Sequence, residues 1–152
     1  MAKTPIPRIL VPLLMLLAAL QPALAGPPDP IVGTWAAADE DGDVGALVSI
    51  VDKGGTFEGR ITKLFPAPGD PANPTCDKCT GARMGAPLMG LTVVEGLRRQ
   101  GAGYEGGRIL DPDTGTQYQL KAQLGDDGRT LTIRAFAGVA LLGRTQTWRR
   151  QP

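Results

Sequence analysis

Thr116-Gln117-Tyr118-Gln119-Leu120-Lys121-Ala122-Gln123-Leu124 runs into Gly125-Asp126-Asp127-Gly128, and Thr130-Leu131-Thr132-Ile133-Arg134-Ala135-Phe136 follows. In the first segment Tyr118, Leu120, Ala122 and Leu124 alternate with Gln117, Gln119, Lys121 and Gln123. In the second, Leu131, Ile133 and Ala135 alternate with Thr132 and Arg134. A strand sends successive side chains to opposite faces, so each segment has one buried face and one wet one. The glycines between them supply the positive-φ positions that a tight connection needs. The whole stretch predicts a β-hairpin.

Similar patterns lie on both sides of this hairpin. Short runs rich in β-branched residues, separated by Gly, Asp and Pro clusters, predict strands at Val32 to Ala37, Gly45 to Asp52, Thr56 to Leu64 and Tyr104 to Leu110. A last strand is predicted over Leu142 to Arg149. Lys53-Gly54-Gly55 and Asp111 to Gly115 read as turns. Leu88 to Leu97 carries helical spacing at Leu88, Leu91, Val94 and Leu97, but Gly90 and Gly96 weaken a helix and the segment reads as a strand. The expectation is an all-β domain over residues 31–150: about eight antiparallel strands in up-and-down order, interrupted by one long excursion from Phe65 to Pro87. Closing such a sheet into a barrel removes its exposed edges, whereas a two-layered sandwich would keep them.

Before this domain, Lys3 and Arg8 precede an apolar run from Ile9 to Leu20, and Ala23-Leu24-Ala25 precedes Gly26. This is the order of a cleavable signal peptide over residues 1–25, and the run is short of the roughly 20 residues a membrane-spanning helix needs. Gly26 in place of Cys after the cleavage site argues against a lipid anchor. The expected product is exported, soluble, and periplasmic or extracellular. Residues 26–30 read as a Pro-rich leader with nothing to pack against. Cleavage would leave 14 basic against 15 acidic residues. That balance lacks the basic excess nucleic-acid binding requires.

Two resemblances follow. Gly33-Thr34-Trp35 resembles the Gly-x-Trp signature on the first strand of the lipocalin and fatty-acid-binding superfamily, in which an Arg from the last strand packs near the Trp. The resemblance assigns that part to Arg144 or Arg149. Lys63-Leu64-Phe65-Pro66, Asn73-Pro74, Cys76-Asp77-Lys78-Cys79, Gly106-Gly107-Arg108-Ile109-Leu110-Asp111-Pro112 and Leu141 to Trp148 are similar to a secreted bacterial family, domain of unknown function 2147, with a lipocalin-like barrel. That family brings a fold and a compartment and no catalytic residue.

The chemistry-bearing residues are few. Cys76 and Cys79 are the only cysteines. In an oxidising compartment they read as a structural disulfide. A redox pair would need a helix N-terminus in a βαβ setting, and a metal site would need further His or Cys ligands, of which the chain has none. Asp39, Glu40, Asp41 and Asp43 around Gly42 superficially resemble a calcium loop but lack the later bidentate acid, and read as a hairpin turn. With no His and a single Ser, Ser49, a nucleophile–base pair cannot be assembled, so no enzymatic role and no cofactor are expected. Arg144, Gln146 and Trp148 fall on one face of the last strand. If that face points into the barrel, Arg144 and Gln146, with Trp35, are the candidate ligand-binding residues, and Arg144 is a handle for a carboxylate or phosphate headgroup. The expected partner is a small lipid-like ligand. The alternative is an envelope structural or protein-interaction module with a filled barrel and the Phe65 to Pro87 excursion as its contact surface.

Overall fold

The computed structural model describes residues 26–39 and 41–152. The segment read as a signal peptide, residues 1–25, lies outside the described residues. Eight strands follow in chain order: β1 (Gly33–Ala38), β2 (Val44–Asp52), β3 (Phe57–Leu64), β4 (Thr92–Gln100), β5 (Gly103–Asp111), β6 (Thr116–Leu124), β7 (Thr130–Phe136) and β8 (Arg144–Arg150). Each pairs antiparallel with its sequence neighbours, and β1 pairs with β8, closing the barrel. Two single 3₁₀ turns, Gly81–Arg83 and Ala140–Leu142, are the helical elements among the described residues.

The β6–β7 hairpin forms over the predicted residues, with Leu124 opposite Leu131 and Ala122 opposite Ile133. Its loop is closed by the Gly125 N–H on Thr130 O at 2.8 Å and the Gly128 N–H on Gly125 O at 2.9 Å. Alternation along the strands sends Trp35, Val48, Ile50, Leu97, Leu120 and Leu131 into a fully buried interior. The intervening positions carry exposed charge, as at Arg60, Arg98, Glu105 and Arg108. A bilayer-spanning barrel turns its apolar face outward, so these strands have the reverse polarity. Among the described residues no helix is long and apolar enough to cross a membrane.

The chain ends and the even-numbered connections, after β2, β4 and β6, gather at one end, which is plugged. Trp35 sits there, its indole N–H donating to Ile31 O at 2.9 Å, and the Phe57 and Tyr104 rings meet edge to face. The Arg on its face is neither Arg144 nor Arg149. It is Arg150, whose guanidinium lies 4.2 Å from the Trp35 ring centroid. Register decides this. Trp35 pairs with Arg150 across the closing seam, while Arg149 points outward and Arg144 lies at the far end of β8. Arg150 also donates to Gly128 O at 2.8 Å, to Val32 O at 3.0 Å and to Pro30 O, so it ties the leader, β1 and the β6–β7 loop together.

The leader is therefore held at its end. Asp29 accepts the Tyr104 hydroxyl at 2.6 Å, Arg99 Nε at 2.8 Å and the Ile31 N–H at 3.0 Å. Burial opposes the charge on Asp29, but these donors outweigh it and hold the carboxyl below the usual aspartate value. The same burial, with the Asp29 contact, pushes the Tyr104 hydroxyl up to about 12.

Two other expectations change. Leu88 to Leu91 is a turn, and β4 begins only at Thr92 and runs on to Gln100. Gly90, at φ +84°, reverses the chain and donates its N–H to Ile61 O at 2.8 Å. Leu142 closes a 3₁₀ turn, so the last strand starts at Arg144.

Candidate functional site: the open end of the barrel

The other end of the barrel is open, for a reason readable tier by tier. In the plugged half the inward positions of β1, β2 and β7 are large: Trp35, Ile50 and Leu131. In the opposite half the inward positions of the same strands are Ala37, Ala46 and Ala135. Methyl groups cannot span a barrel of eight strands, whose interior is just filled by ordinary side chains. A cavity of about 760 Å³ results. Val48, Ile61, Val93, Leu110 and Trp148 floor it, and Leu64, Ile109 and Tyr118 join the alanines in its wall.

The excursion after β3 shapes the mouth. Cys76 and Cys79 are bonded as a disulfide and both are buried. The surrounding backbone makes its own bonds, Cys76 N–H to Ala86 O at 2.8 Å and Leu88 N–H to Pro74 O at 2.9 Å. An Arg83–Glu95 ion pair pins the excursion to the outside of β4. The β5–β6 turn packs under the disulfide, where Pro112 O lies 3.5 Å from Cys76 Sγ. Gly115, at φ +71°, passes so close that a Cβ would stand 2.0 Å from Lys78 O. Only glycine fits there.

Of the three candidate ligand-binding residues, the structure brings two to the cavity. Arg144 and Gln146 line it, and the Trp148 indole N–H donates to the Gln146 side-chain oxygen at 3.1 Å, fixing the amide at the wall. Trp35 does not line it: the residue is wholly buried in the plug. Tyr118 and the three alanines were not singled out from sequence. Their signal was a change from bulky to small inward residues along one strand, as in Leu131, Ile133, Ala135.

The mouth is acidic. Asp39, Asp43, Asp70, Asp111 and Asp113 line it, and Arg144 is the one cation among the described lining residues. Several of these carboxylates build turns. Asp39 accepts the Asp41 and Asp43 N–H groups at 3.0 and 2.9 Å, Asp70 the Ala67 N–H at 2.8 Å, and Asp111 the Asp113 N–H at 3.0 Å. The segment resembling a calcium loop is thus a hairpin turn wound on the Asp39 side chain.

A small up-and-down barrel of eight strands, plugged at one end by Trp under Arg and cupped at the other, is a lipocalin-like fold. A solved structure agrees: protein HP1028 from Helicobacter pylori, described as belonging to the lipocalin family, superposes with a TM-score of 0.67 over 80% of this chain and 82% of that chain, at 15% identity. That likeness is one of fold alone. By sequence, residues 33–150 match the family model "Uncharacterized protein conserved in bacteria (DUF2147)", and the chain belongs to that family. No curated protein matches the chain by sequence.

Proposed function

We propose that this protein is exported and acts by binding rather than by catalysis, holding a small hydrophobic or amphipathic ligand in the open half of its barrel. One observation carries the reading: on β1, β2 and β7 the upper inward positions are alanine, which leaves a cup of about 760 Å³ above a fully packed plug. Ligand sites of small molecules occupy about 300–1,000 Å³ and are mostly apolar with a few fixed polar groups, here the Gln146 amide held by Trp148. Export is supported by the charged, apolar and small-residue order of residues 1–25 and by the paired cysteines.

Protein recovered from its native envelope tests both parts. Its N-terminus is expected at Gly26, and solvent extraction with mass spectrometry is expected to release a lipid-like molecule in near-stoichiometric amount. Ala135→Phe, which fills the cup, should lose that molecule and keep the barrel's circular dichroism. Empty wild-type protein that also fails to take up a neutral apolar fluorophore would overturn the binding reading.

A second reading, a protein-interaction module, has its own observation. Met84, Met89, Val139, Leu141 and Leu142 are exposed on the loops of the open end. Val139, Leu141 and Leu142 stand within four residues on the β7–β8 loop, and exposed apolar groups so close together mark contact surfaces. Arg134 braces one of them, donating to Ala140 O and Leu141 O at 2.7 Å each.

A further inference from the structure

The strand pair that closes the barrel is zipped only at its plugged end. β1 and β8 pair at Trp35 with Arg150 and at Ala36 with Arg149, and the next pairs that this register would bring, Ala37 with Trp148 and Ala38 with Thr147, are not made. By contrast β7 stays paired with β8 up to Ala135 and Arg144. The divergence begins where the β1–β2 register shifts: between the pairs Ala37–Ala46 and Ala38–Val44 the extra residue, Gly45, lies on β2, and such a bulge raises the local twist beside the seam. Outside this slot lies a groove of about 670 Å³. Ala38, Asp39, Phe65 and Gln146 line both the groove and the lumen cavity, so the two volumes are neighbours at the open end of the seam.

We infer that the unzipped upper half of the β1–β8 seam is a lateral portal, across which one elongated amphiphile lies with its chain in the lumen and its headgroup in the outer groove. The inference rests on the binding reading above and adds the class of ligand. The groove's polar groups near the slot are the hydroxyl of Thr147, that of Thr145, which accepts from Arg134 and can still donate, and the amide of Gln151, and its two charges, Asp39 and Arg149, are of opposite sign. Such a lining hydrogen-bonds an uncharged headgroup of the glycerol kind. Five carboxylates at the mouth against the single Arg144 favour an uncharged headgroup over a free carboxylate or phosphate. Ala36 and Leu47 give the groove an apolar base for the first carbons of the chain.

The test separates portal from lumen with two probes and two substitutions. Monopalmitoylglycerol is the probe long enough to use both volumes, and N-phenylnaphthylamine fits the lumen alone. Thr147→Trp fills the outer groove from an exposed, outward-facing position, and Ala135→Trp fills the lumen. Calorimetric titration should find monopalmitoylglycerol weakened about ten-fold or more by Thr147→Trp, with naphthylamine binding unchanged, while Ala135→Trp weakens both. Palmitate should bind more weakly than its glycerol ester. If Thr147→Trp leaves monopalmitoylglycerol binding intact, or weakens both probes alike, the portal is wrong and the lumen reading stands. If wild type binds neither probe, the lumen reading has failed and the portal with it. Backbone hydrogen exchange is a check that needs no substitution. Monopalmitoylglycerol should slow exchange at residues 37–38 and 145–147, and no slowing there counts against the portal even where the lumen is occupied.

Discussion

Replacing Arg150 with Ala removes one side chain from four partners. The guanidinium stands 4.2 Å over the Trp35 ring and donates to the carbonyls of Gly128, Val32 and Pro30. A hydrogen bond from a charged donor contributes a net ~1.5–3 kcal/mol, and a partly exposed cation–π contact about 0.5–1 kcal/mol. The lower ends apply, and not additively, because Arg150 is half-buried and water reaches the carbonyls once the side chain is gone. The expected loss is about 3 kcal/mol, a large fraction of the ~5–15 kcal/mol that stabilises a domain. With a urea m value of about 2 kcal/mol per molar, the unfolding midpoint should fall by about 1.5 M. Arg150→Lys, which keeps the charge but not the three-way fork, should lose about half as much. Arg149→Ala is the control: its side chain is exposed and outward, and its cost should stay within about 0.5 kcal/mol. Equal midpoints for the Arg149 and Arg150 variants would refute the claim that Arg150 locks the plug.

Two further predictions concern the plug and the excursion. Tyr104 has a folded pKa of about 12 against an ordinary value of 10.0, so its contribution is complete below pH 10 and is lost as pH rises toward 12. Asp29, shifted down, contributes above its ordinary value of 3.8 and loses that contribution as pH falls below it. Denaturation curves across pH should therefore show a fall on both flanks, and Tyr104→Phe should cost about 1–2 kcal/mol at neutral pH while flattening the alkaline fall. An unchanged alkaline limb in that variant would place the titration elsewhere. Replacing Cys76 and Cys79 together by Ala opens a ring of four residues. Loop-closure entropy puts the loss near 2 kcal/mol, and the excursion's own hydrogen bonds should keep the barrel folded. Global unfolding of the double variant at room temperature would show the bridge to be the excursion's main anchor.

Much of the fold is legible in the residues because period-two alternation is a local property. It placed β6 and β7 to the residue and six other strands to within a few positions at most ends. It failed at Leu88 to Leu91, where Gly90 turns the chain, since a lone glycine in an apolar run is equally a bulge, a weak strand position or a turn. The site was legible in part. Arg144 and Gln146 stand at the cavity because they share a strand face with Trp148, a local relation. Which Arg stands above Trp35 was not legible, because that depends on how far β8 slides along β1.

The residues alone determined an all-β chain of eight antiparallel strands with alternating faces, a near-neutral net charge of +1, and a cysteine pair three positions apart. Tertiary structure decided the rest: which inward residues share a tier, which end is plugged, and where the closing seam stops pairing. The reason is physical. A strand's faces follow from the tetrahedral geometry of its own chain, whereas tier and seam follow from the stagger of eight strands around a closed cylinder, and that stagger joins the two ends of the domain, the residues farthest apart in sequence.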